Sequence, residues 1–123
     1  MASSVTITEV GGRGSPIKRI KFDWTAHTDG VVSPVTTTRY YTGKVVAFTT
    51  DPDAGVAPTD NYDITIIDSD GLSVIGTAGT DRDTANVEQV LSASLGIVVM
   101  SKLTFSVANA GSGGKGVAFV DIQ

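Results

Sequence analysis

His27 is the single histidine of the chain, and Asp23 and Asp29 stand close to it in sequence. A nucleophilic triad needs an imidazole, and so do most zinc sites built without cysteine, so any such chemistry must run through this residue. Its setting is His27-Thr28-Asp29-Gly30, a turn sequence in which polar side chains are ordinary, and it reads as a surface turn histidine. Asp68-Ser69-Asp70-Gly71 opens like a calcium loop, but the position that should supply a bidentate glutamate is Gly79. The same four residues are what a hairpin turn requires. Asp51, Asp53, Asp60, Asp81 and Asp83 would hold a hard cation only if the fold brought two loops together, and they read as solvated loop carboxylates. Gly111-Ser112-Gly113-Gly114-Lys115-Gly116 has the residue types of a phosphate loop without their order, and a strand rather than a helix follows. It reads as a flexible hairpin tip. Glu9 and Glu88 supplement the aspartates for paired-carboxylate hydrolysis, and neither lies in a motif. The expectation is therefore a protein that is not an enzyme, with no catalytic residue, no cofactor and no metal site.

Composition agrees. Eleven aspartates and two glutamates face nine basic residues, for a net charge of −4. Aspartate favours turns and caps whereas glutamate favours helices, so this imbalance describes strands and turns. A nucleic-acid partner needs a basic face, and the one basic cluster, Lys18, Arg19 and Lys21, is too small to provide it. No cysteine is present, which excludes disulfides and thiolate metal sites. The first ten residues have neither the charged nor the apolar region of a signal peptide, and no apolar run approaches membrane-spanning length. Neither nucleic acid nor membrane is an expected partner.

The elements that would position these residues are short strands. Val5–Val10 alternates as a half-buried strand, and the turn Gly11-Gly12-Arg13-Gly14-Ser15-Pro16 ends it. Ile20, Phe22 and Trp24 share one face of the next strand and should be core, with Arg19, Lys21 and Asp23 toward solvent. Pro34 argues against a central strand over Val31–Val35. Thr36–Thr50 is a long β-prone run that Gly43 interrupts as a bulge or bend, and Asp51–Asn61 is a loop. Tyr62–Ile67 and Leu72–Ile75 should form a hairpin about Asp70-Gly71. Over Ala85–Leu95, a short helix and a strand with a turn both satisfy the apolar spacing of Val87, Val90, Leu91 and Leu95. Leu103, Phe105 and Val107 alternate with polar residues, and a second hairpin should join that strand to Val117–Ile122. The fold class is all-β: an antiparallel β-sandwich or barrel-like domain of about 7–8 short strands, with at most one short helix. Residues 1–123 form a single domain, in which residues 1–12 are an extended N-terminal strand that pairs either within the chain or with a neighbour.

Three stretches together resemble small virion proteins of tailed bacteriophages. They are Tyr41-Thr42-Gly43-Lys44-Val45-Val46, then Ala57-Pro58-Thr59-Asp60-Asn61-Tyr62-Asp63-Ile64-Thr65-Ile66-Ile67-Asp68 with Asp70-Gly71, then Thr80-Asp81-Arg82-Asp83-Thr84-Ala85-Asn86. The resemblance covers roughly residues 37–121 and is one of pattern, without a catalytic signature to carry over. It implies a virion component, foremost a capsid decoration or cement protein, with neck, tail-tube and fibre-associated roles as alternatives. The implied location is the particle, after synthesis in the host cytoplasm. The implied partners are the major capsid protein or other virion proteins. Local symmetry at capsomer junctions implies a homo-oligomer, a trimer being favoured. Thr36–Thr38 and Val5–Val10 are strand-forming pieces that could extend a neighbour's sheet. A carbohydrate- or protein-recognition sandwich is the competing expectation. Adjacent strand residues point to opposite faces, so one ring of Tyr40-Tyr41 should be presented outward.

Overall fold

A computed structural model describes residues 3–10, 17–91, 95 and 97–123. The turn expected at Gly11–Pro16 lies outside the described residues. Among the described residues nine strands run in chain order: β1 Ser4–Val10, β2 Lys18–Thr25, β3 Val32–Thr36, β4 Tyr41–Pro52, β5 Asp63–Ile67, β6 Glu88–Leu91, β7 Val98–Ser101, β8 Thr104–Ala108 and β9 Lys115–Ile122. They build two antiparallel sheets of a sandwich-like all-β domain, and no helix occurs among the described residues. The larger sheet has the order β1-β2-β9-β4-β6, with β7 pairing a second stretch of β4. The smaller sheet has the order β3-β8-β5.

Alternation on β2 behaves as its pattern requires. Ile20, Phe22 and Trp24 are fully buried, and Phe22 stacks on Phe105 of the facing sheet at 4.5 Å. Trp24 meets Tyr62 at 5.5 Å. These aromatic pairs tie the two sheets together, each buried ring contributing about 1.5–3 kcal/mol of apolar transfer. On the outer face Arg19 forms a two-pronged ion pair with Asp121 of β9, at 2.7 and 2.9 Å.

Several expectations change. The C-terminal hairpin does not form: β8 pairs with β3 and β5, whereas β9 pairs with β2 and β4, so the connection after β8 crosses from one sheet to the other. Burial explains it. Phe105 and Val107 of β8 and Ala118 and Val120 of β9 all turn into the same core, and alternation alone cannot tell a facing strand from a neighbouring one. Leu72–Ile75 contributes only a bridge, Ile67 to Ser73, because the segment turns inward to bury Val74 and Ile75. Over Ala85–Leu95 the periodicity resolves as strand β6, with residues 92–94 outside the described set. The β-prone run expected over Thr36–Thr50 is divided: β3 ends at Thr36, and β4 begins at Tyr41 and runs on through Pro52, shortening the following loop.

Pro34 lies in β3, an edge strand whose register shifts between Val32 and Val35, as a missing N–H demands. Gly43 keeps regular pairing with Val99, and the bulge falls instead between Val45 and Ala47. Gly43 is needed for a different reason. Its φ is +143°, and a side chain there would collide with Ile122 Cγ2 at 2.8 Å. β1 pairs with β2 of its own chain along its whole length.

Candidate interaction surface

The aspartates hold turns. Asp68 accepts the N–H groups of Asp70 and Leu72 at 2.9 and 3.0 Å, which closes the turn after β5. Asp53 accepts from Gly55 and Val56, and Asp83 from Ala85 and Asn86. Those hydrogen bonds hold the Asp83 carboxyl below the usual carboxylate range. Asp60 accepts the Thr84 N–H and Asp63 the Asp81 N–H, which tie the two acidic loops to each other and to β5. A short carboxylate reaches a backbone N–H two or three residues on, and this accounts for the preference for aspartate. Among the described residues no group of three His, Asp or Glu side chains gathers as a metal site.

His27 is half-buried, with Nδ1 3.2 Å from Thr28 Oγ1 and 3.4 Å from Asp29 Oδ1. Its backbone matters more. The His27 carbonyl accepts from Gly30 and Gly113, and the Gly114 carbonyl accepts from Ala26. The Gly111–Gly116 segment is thus a packed junction and not a flexible tip. Ala110 bonds Gly30 and Thr59, and Lys115 bonds Val56 and Asp53. A side chain at Gly114 would strike the Ala110 carbonyl oxygen and Pro58 Cα. Glycine spacing signals close approach as readily as flexibility, and the sequence cannot distinguish them.

Tyr40 is 61% exposed and Tyr41 is buried. Thr37 fixes this pair: its backbone N–H and hydroxyl both bond Leu103, and the hydroxyl also bonds the Arg39 carbonyl. Arg39 Nε lies 3.0 Å from Glu9 Oε2. Burial pushes the Tyr41 hydroxyl well above its ordinary range, and the neighbouring Glu9 adds to the rise.

The sheet edges differ in how they are closed. The outer side of β5 is covered by backbone bonds from the segment that follows it: Ile64 to Gly79, Val74 to Ile66 and Arg82 to Tyr62. The β3 edge carries Pro34 and a register shift. On β6, Glu88 lies opposite Thr50, a buried residue of the inner face, so the edge strand holds an inward carboxylate. Glu88 accepts the Asp83 N–H at 2.9 Å and stands 3.6 Å from Arg82 Nη1. Proline, irregularity and inward charge each prevent an edge from pairing further.

β7 has none of these. Gly43 and Tyr41 of β4 pair with Val99 and Ser101, and the Val45 N–H bonds the Ile97 carbonyl. Lys44 instead exchanges both its bonds with Gln123 on the opposite side. Antiparallel alternation therefore turns the N–H and C=O groups of Val98 and Met100 outward. Their side chains are 65% and 67% exposed on the outer face, opposite Lys44 and Thr42. Leu91, opposite Ala47, and Val87 extend this apolar rim along β6 at 59% and 63% exposed. Nothing in the sequence Val98-Val99-Met100 announces an edge. The signal lay in the missing guard, a strand with neither charge nor proline, and it acquires meaning only once pairing order is known. In comparisons with family models and with curated proteins, nothing matches this chain.

Proposed function

We propose that the chain is a structural component of a bacteriophage particle, a capsid decoration or cement protein that holds by protein–protein contact. The observation that carries this reading is the rim of Val87, Leu91, Val98 and Met100, an apolar strip beside open backbone groups on a rigid two-sheet frame. Exposed apolar area at an open strand edge is the chemistry of strand addition and subunit contact. The resemblance of residues 37–121 to small virion proteins of tailed bacteriophages is what supports assigning that contact to a virion. Neck, tail-tube and fibre-associated positions present the same chemistry.

The test is proteomic and mechanical. Particles purified from a culture expressing the gene should contain the chain at stoichiometric copy number, and particles made without it should lose DNA at lower temperature or on chelation. Absence of the chain from purified particles sinks the reading. Exposed Tyr40 favours a second reading, recognition of a sugar or protein surface by a protruding ring. Chemical-shift changes confined to residues around Tyr40 on titration with oligosaccharides would select it.

A further inference from the structure

We propose that the free edge of β7 is a self-pairing surface, and that its occupant is β7 of a second copy of this chain in an antiparallel two-fold dimer. The inference rests on the preceding reading only in treating the rim as a contact surface.

The ladder arithmetic supplies the register. The outward backbone groups belong to Val98 and Met100, separated by one residue whose groups face β4. A two-fold axis at Val99 then places Val98 opposite Met100 of the second copy, and Met100 opposite Val98 of the second copy. Each of these is a hydrogen-bonded pair, so about four backbone bonds form with no donor left over. The exposed valine of each copy packs on the exposed methionine of the other, continuing the outer face.

Charge permits it. A strand that meets its own copy must not bring like charges together, and Val98–Ser101 contains no charged residue. The other edges are worse candidates. β5 is covered, β3 carries Pro34, and β6 holds the Glu88 carboxylate. β1 ends in Glu9-Val10, and its exposed residues, Ser4, Thr6 and Thr8, offer no apolar contact. The pairing is isologous and closes at two copies, a different assembly from the trimer that the resemblance implies.

Light scattering after size exclusion, over roughly 1–100 μM protein, should give twice the chain mass of 12.7 kDa at the upper end, a range suited to micromolar affinity. Met100→Lys should raise the dimer dissociation constant at least tenfold with unchanged circular dichroism. Val98→Pro should do the same, because it removes an outward N–H and no bond to β4. Val31→Lys, at an exposed apolar residue of the His27–Asp29 turn, which makes no bond to β7, should leave the dimer intact. A wild-type monomer throughout, a trimer or other odd assembly, or a dimer indifferent to Met100→Lys would overturn the proposal. Particle incorporation reads the functional proposal separately: a chain that dimerises but is absent from particles sinks that reading alone. A monomer found in particles sinks only the dimer.

Discussion

The glycine-rich junction and the β6/β7 rim invert the usual division between loop and strand. The junction is irregular chain, yet its backbone groups are matched by the His27 turn and the Asp53–Thr59 loop as closely as strands match one another. The rim is regular strand, yet it leaves apolar side chains and backbone groups facing outward. A loop becomes structural when glycines allow backbones to touch and exchange hydrogen bonds. A strand becomes a contact surface when it lies at an edge with nothing to blunt it.

Substitutions can test each side of this contrast. The largest effect is expected at Gly114, where any side chain meets the Ala110 carbonyl and Pro58. Gly114→Val should cost at least about 3 kcal/mol in urea unfolding, a core-like penalty from a loop position. A loss under 1 kcal/mol would show that the junction yields. Next is Glu88→Ala, which strands the nearly buried Arg82 guanidinium. Breaking a fully buried pair costs about 3–5 kcal/mol, and because Glu88 is partly exposed about 1–2 kcal/mol is expected here. The substitution also removes the inward charge that guards β6, so it should increase self-association in light scattering.

Tyr62 gives a pH-dependent effect. Burial pushes its hydroxyl up to about 12, with smaller opposing effects from Thr50 and Arg82. Below pH 10 the group is neutral in both folded and unfolded chains, and its contribution is fully present. Between pH 10 and about 12 the unfolded chain ionises first, so stability should fall as pH rises, by a few kcal/mol for a shift of this size. The buried Tyr41 acts in the same direction. Tyr62→Phe should flatten this alkaline limb in thermal melts, and at pH 7 it should cost little, because among the described residues the buried hydroxyl has at most a weak contact with Thr50 and no well-formed hydrogen bond to lose. An unchanged limb would point elsewhere. The smallest effect on folding is expected for Met100→Lys, within about 0.5 kcal/mol, since the side chain touches mainly solvent. A large loss there would mean that the rim is part of the monomer's core.

Much of the fold was legible in the residues. Ile20, Phe22 and Trp24 announced a buried face because alternation on one strand is a local property. Pro34 announced an edge because a missing N–H cannot sit inside a ladder. Asp68 to Gly71 announced a turn, and the structure closes that turn with the bonds that Asp and Gly supply. The candidate surface was not legible. Val98-Val99-Met100 has the composition of any buried strand, and only its place beside β4 makes it an edge.

What the chain determined alone is therefore its β character, its inward faces and the turns, each depending on residues a few positions apart. Tertiary structure decided which strands pair, sending β8 to one sheet and β9 to the other although a short connection joins them. It decided that the glycine segment is a packed junction, and that β7 faces outward with its backbone groups open. These are non-local outcomes, because a strand's hydrogen-bonding partners are chosen by how all the buried faces close around one core.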